Sequence, residues 1–209
     1  MTNPTQPPPK TPDFHRPFGI VLLAGAAGTV FFMAHHPTRM TDLDGIAGLV
    51  HGVMLLMLLA LSAGFVHFSM SLGLRRLLVL LGLLSYLGAA IFNGLAAIIN
   101  GFVSPALAAR GNNVIGHDIF DLTWDLNQAL AVIAVVGTSL AYGLWSVDLL
   151  KRRWFWLAGL GLIASIAPVL LVFFSSGGME VKTAMAVYST QVMWAAAVGW
   201  VMYRKSGVR

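Results

Sequence analysis

Few side chains in this 209-residue chain are equipped for chemistry, and those few gather near one end of its long apolar runs. His117, Asp121, Asp125 and Gln128 stand at i, i+4, i+8 and i+11, a spacing that aligns them on one face of a helix. The stripe descends towards an apolar run, and Asp125 sits close to the first apolar turn. A carboxylate at that depth is costly unless it faces a bundle interior or water, so Asp125 is the most informative acid. Asp118 and Asp121 have a plainer explanation as well, because acids near a helix N-terminus are favoured by its dipole. Trp124 and Ile119 fall off this stripe.

His51 lies about one and a half turns into a second apolar run, just after a segment holding His35, His36, Asp42 and Asp44. Imidazole and carboxylate together suit Zn, Mn or Fe, which makes His51, His117 and Asp121 the candidate ligands for a divalent metal. No tight spacing accompanies them: HExxH is absent, and adjacent His35 and His36 would point their rings apart on a helix. Haem b is the other cofactor to weigh, with His51 as its axial ligand. His67 cannot serve the same iron, because 16 residues of helix separate the two by about 24 Å.

The remaining polar groups inside apolar runs are Asn93, Asn100, Tyr188 and Gln191. Buried amides in hydrocarbon hydrogen-bond across helices, so packing alone accounts for them. If His51, Asn93, Asp125, Gln128, Tyr188 and Gln191 converge, however, they line one polar cavity. Other chemistry is excluded by missing residues. Zero cysteines remove disulfides, thiolate metal sites and cysteine nucleophiles. No lysine lies in the middle of a run for a Schiff base, and no GxSxG elbow presents a serine. The ten methionines show no regular pairing and read as apolar filler.

The elements that must position these groups are membrane helices. The chain is 57% hydrophobic and 10% charged, with mean hydropathy +0.79, far from the roughly 25% charged of a soluble domain. Six apolar runs are legible: Phe18 to Ala34, Ile46 to Met70, Leu77 to Ile99, Leu126 to Val147, Trp154 to Phe174 and Thr183 to Tyr203. Residues 1–17 hold six of the nine prolines and read as a disordered cytoplasmic tail. Residues 18–203 then form a six-helix transmembrane domain, and 204–209 a basic cytoplasmic tail.

With the N-terminus inside, ten basic residues fall on the inner side and only Arg39, Arg110 and Lys182 on the outer, which gives an N-in, C-in topology. Trp145, Trp154, Trp156, Trp200 and Tyr203 fall at the inner ends, where headgroup anchors are expected. The arginine pairs read as contacts to anionic headgroups, so the basic balance implies a bilayer and no nucleic acid. An offset of 77 residues superposes 51–82 on 128–159, Arg75–Arg76 falling on Arg152–Arg153, the trace of a weak parallel repeat of spans two and three in spans four and five.

The leading expectation is an all-α, multi-pass protein of a bacterial-type inner membrane, binding a small or lipophilic ligand or a partner subunit through an outward-facing polar cavity. A haem- or metal-dependent redox or hydrolytic enzyme acting at the outer leaflet is the rival. A passive subunit is the third, either in a complex with another membrane protein or as a homo-oligomer, with Ala24, Gly25, Ala26 and Gly28 as its close-approach face.

Overall fold

Hydrocarbon offers the backbone no partners, so a chain this apolar satisfies its peptide groups within helices. Every regular element among the described residues of the computed structural model is helical. The structure describes residues 15–36, 46–109, 114–175 and 179–205. They form α1 (His15–Ala34), α2 (Ile46–Leu72), α3 (Leu77–Ile98), a π-helical turn (Ile99–Val103) running straight into α4 (Ser104–Ala108), α5 (Val114–Lys151), α6 (Phe155–Phe174) and α7 (Val181–Lys205).

Five segments are long and apolar enough to cross a membrane: α1, α2, α3 with its extension to Ala108, α5 from Asp118, and α6. α7 has the length, at 25 residues, but its Tyr188-Ser-Thr-Gln191 stretch dilutes its apolar character. Large apolar side chains such as Leu59, Ile91, Ile163 and Phe173 point outward, the surface of a bundle whose solvent is lipid. α1 begins at His15, three residues before its apolar run, since Pro17 in a first helical turn forfeits no internal hydrogen bond. α5 begins twelve residues before its apolar run and reaches about 57 Å, well beyond the roughly 30 Å of hydrocarbon.

Each long helix packs on its chain neighbours, α3 meets α5, and α1 closes the ring against α7. Small residues permit the closest approaches. A Cβ at Gly19 would lie 2.6 Å from the Tyr203 backbone nitrogen of α7, and one at Gly25 would lie 3.1 Å from Leu61 of α2. Gly28 lies against Met57 in the same way. Gly25 and Gly28, expected to offer a face to a partner, are thus occupied by α2 of the same chain. Hydroxyls tie helices together where they can reach a carbonyl: Ser85 Oγ donates to Gly137 O at 3.0 Å, and Ser165 Oγ to Ser139 O at 2.7 Å.

One end of the ring, called here the arginine end, is filled by aromatic rings. Phe65 stacks between Trp145 (centroids 5.2 Å apart) and Trp194 (5.7 Å), with Tyr142 4.4 Å from Trp194 and Tyr86 and Phe68 at the margins. Both indoles are fully buried, and each donates its N–H to a carbonyl, Trp145 to Val79 and Trp194 to Leu157. Trp145 is therefore a core residue and not the headgroup anchor its position suggested, whereas Trp156 and Trp200 are exposed.

Below this plug the α2–α3 and α5–α6 turns are joined by ions. Asp148, 1% exposed, accepts from Arg76 Nε at 2.7 Å and from Arg152 Nε at 2.9 Å, while Arg152 also donates to the Leu72 carbonyl. Arg76 is thereby a structural partner, beyond the headgroup contact expected of it. The two turns are also built differently, with the left-handed residue at Gly73 in one and at Arg153 in the other. An offset of 77 would bring Gly73 onto Leu150.

Candidate functional site

At the end opposite the arginines, the described residues enclose a cavity of about 240 Å³ between the helices. α1 contributes Met33, His36 comes from the second residue past its end, and α2 adds His51 and Met54. From α3 and the π turn come Asn93 and Asn100, and from α5 Phe120, Trp124, Asn127 and Gln128. α7 and the residues before it supply Met179, Ala184 and Tyr188. The described lining holds two imidazoles, four carboxamides and a phenol, without a carboxylate, ammonium or guanidinium.

His51 is 3% exposed and is fixed from two sides. Its Nδ1 lies 2.8 Å from the Ala47 carbonyl, and since a carbonyl only accepts, Nδ1 carries the proton. Nε2 then faces away from α2, 3.1 Å from His36 Nε2. Behind the ring, Gly101 of the π turn leaves just enough room, because a Cβ there would sit 2.5 Å from His51 Cβ. The π turn inserts at the level of Asn100 and Gly101, the kind of local irregularity that marks functional sites in membrane helices. His35 points elsewhere, its Nδ1 donating to the Phe31 carbonyl at 2.8 Å, so the two adjacent rings do diverge.

Gln128 Oε1 accepts the Met179 N–H at 3.0 Å, tying α5 to the start of α7. Tyr188 donates its hydroxyl to Asn93 Oδ1 at 2.8 Å. These last two form a floor, since both also line a smaller cavity of about 60 Å³ beneath, together with Thr29, Tyr86, Thr138, Tyr142 and Gln191. Gln191 Nε2 lies 3.5 Å from the Val135 carbonyl and 3.5 Å from Ser139 Oγ. A third cavity, at the arginine end by His15, Arg152 and Trp154, lies beyond the aromatic plug.

Of the six candidates, His51, Asn93, Gln128 and Tyr188 thus share one cavity, and Gln191 occupies the chamber below it. Asp125 does not join them: it is exposed on α5 and absent from the lining. Asp121 is also exposed. The inward face of α5 runs through Phe120, Trp124, Asn127, Gln128 and Ala131, so residue 121 is turned about 75° and residue 125 about 115° from its centre. Trp124, set aside on spacing, belongs to the lining instead. The side chain of His117, and Asp42 and Asp44, lie outside the described residues. No group of three or more His, Cys, Asp or Glu able to hold a metal occurs among the described residues.

Sequence reasoning missed Asn127 and set His36 aside. Asn127 is 3% exposed, and its Oδ1 is buried without a hydrogen-bond partner among the described residues. An amide lying one residue into an apolar run was the available signal. Comparison with protein-family models, with curated proteins and with solved structures gives no match to the chain.

Proposed function

We propose that this chain is a six-span protein of a bacterial-type inner membrane, both termini cytoplasmic, that holds a small ligand in the His51–Asn127–Tyr188 cavity on its outward side. Orientation rests on the basic residues, ten of which fall on one side by sequence position against three on the other. α7 counts as the sixth span because it completes the ring, with Tyr188 and Gln191 turned inward where polarity costs little.

The observation that carries the ligand reading is Asn127. A buried acceptor left unpaired costs about 1–3 kcal/mol, and the residue that carries this one, unpartnered among the described residues, lines the cavity beside three other amides. A bound molecule with an N–H or O–H donor satisfies it. The volume of about 240 Å³ is below the roughly 300 Å³ at which drug-sized sites begin, which sets the ligand as small.

Native mass spectrometry of the chain released from membranes tests this reading. Wild type is expected to carry a small copurifying mass that Asn127→Leu and Ala131→Phe lose and Asp125→Asn keeps. Bare protein in wild type, or a mass that all three variants retain, overturns it.

A further inference from the structure

His36 and His51 come from the two sides of the α1–α2 connection, and they bring their Nε2 atoms to 3.1 Å with the rings at 76°. At about 2.0–2.1 Å per metal–imidazole bond, this separation corresponds to two ligands about 100° apart on one ion. Two imidazoles on opposite faces of a haem iron need roughly 4 Å by the same bond length, so the pair does not suit that cofactor. The His51 ring is also prepared as a ligand: its Nδ1–H is anchored on the Ala47 carbonyl, the outer-shell contact that fixes the tautomer and turns the Nε2 lone pair towards His36, whose Nε2 proton an incoming ion displaces.

A methionine accompanies each histidine at a spacing of three residues. Met33 precedes His36 by three residues, and Met54 follows His51 by three, one helical turn deeper in each case because α1 runs up to this end and α2 runs down from it. All four residues line the same cavity, and Met54 packs against the buried cluster that contains Met33. The sequence alone shows no pairing of methionines; the antiparallel α1–α2 hairpin brings these two to one cavity.

We infer that His36, His51, Met33 and Met54 form a binding site for a soft monovalent cation, Cu(I). The chain has no cysteine, so thioether and imidazole are its softest donors, and that combination favours Cu(I). Mg²⁺ and Ca²⁺ favour oxygen ligands, mostly carboxylates, and the described lining supplies no carboxylate. Four neutral donors add no charge of their own, so a monovalent ion leaves the least charge to stabilise at membrane depth. The inference rests on the cavity being a ligand site and names what one wall of it takes.

Anaerobic titration of the purified full chain in detergent with Cu(I), against a coloured Cu(I) chelator, tests it. One equivalent per chain is expected, with at least a hundredfold weaker binding in the His36→Gln/His51→Gln double variant. Met33→Leu/Met54→Leu conserves volume and is expected to weaken Cu(I) at least tenfold while leaving Zn²⁺ uptake unchanged. His35→Gln, whose ring is held on Phe31, is expected to bind as wild type. Each variant is first shown to be monodisperse and helical. X-ray absorption of the loaded protein is expected to report both nitrogen and sulfur neighbours.

Absence of stoichiometric uptake, or uptake indifferent to both histidines, overturns the site. If copper fails while a copurifying mass still depends on Asn127, only the copper assignment falls. If both fail, the cavity reading falls with it.

Discussion

Two glycines show how differently the same residue is used. Gly88 of α3 has nothing within 4 Å of where a Cβ would stand, whereas at Gly101 that atom would meet His51. Gly88→Ala is therefore expected to raise stability by about 0.5–1 kcal/mol, the ordinary helix-propensity gain. Gly101→Ala is expected to lower it by about 1–3 kcal/mol through overpacking, and to displace the His51 ring from the cavity wall. Thermal unfolding in detergent, followed by tryptophan fluorescence, measures both, and equal shifts of the same sign would refute the close approach. Much of the site was legible at this scale because a polar residue inside an apolar run announces itself. His51, Asn93 and Tyr188 were singled out that way and Gln128 by the α5 stripe, and all four line the one cavity. Asp125 was misplaced because 117, 121, 125 and 128 do share a helical face, but spacing gives a stripe without saying which way it points. Asn127 settles the direction only when Phe120, Trp124 and Ala131 are seen beside it. His36 needed the hairpin that folds it onto α2, a contact across 15 residues that no local pattern encodes.

Among the elements, the two turns at the arginine end share one carboxylate among the described residues. Asp148 is nearly inaccessible, while its partners Arg76 and Arg152 are 44% and 30% exposed in their side chains. Removing the acid leaves two cations without their shared acceptor, and Asp148→Leu is expected to cost roughly 3 kcal/mol. Arg76→Leu removes a half-exposed partner that water replaces in part, and about 1 kcal/mol is expected. Thermal unfolding of both variants and of the pair checks the order, with coupling of about 0.5–3 kcal/mol in the double-mutant cycle. A larger loss for Arg76→Leu would show that the acid is not the hub. The helices themselves were well marked by apolar runs, but their ends were not. α5 extends twelve residues upstream of its run, since a helical turn that leaves hydrocarbon loses the pressure that makes its sequence apolar. The π turn had no signature either, because five residues of mixed size around Asn100 and Gly101 look like any short break.

For the molecule as a whole, orientation is the property on which the outward cavity depends. Reporters at residue 5, at Arg75 and after Arg209 are expected to signal cytoplasm, and one near Asn112 the exterior. A cytoplasmic signal at Asn112 would turn the cavity to the other side and undo the outward assignment. The absence of native cysteine gives a second measurement of the same property. Ser104→Cys, on the cavity wall, is expected to react in intact cells with a membrane-impermeant maleimide, and Leu72→Cys at the arginine end is not. The Phe65–Trp145–Trp194 stack, already met as the filling of one end, also determines traffic. Six packed rings stand between the cavity and the arginine end, a barrier expected to leave the cavity a blind alley. Proteoliposomes carrying the chain are expected to hold an imposed proton gradient as long as empty vesicles do. Whatever enters must leave by the way it came, and a binder that caps the mouth should slow arrival and escape alike.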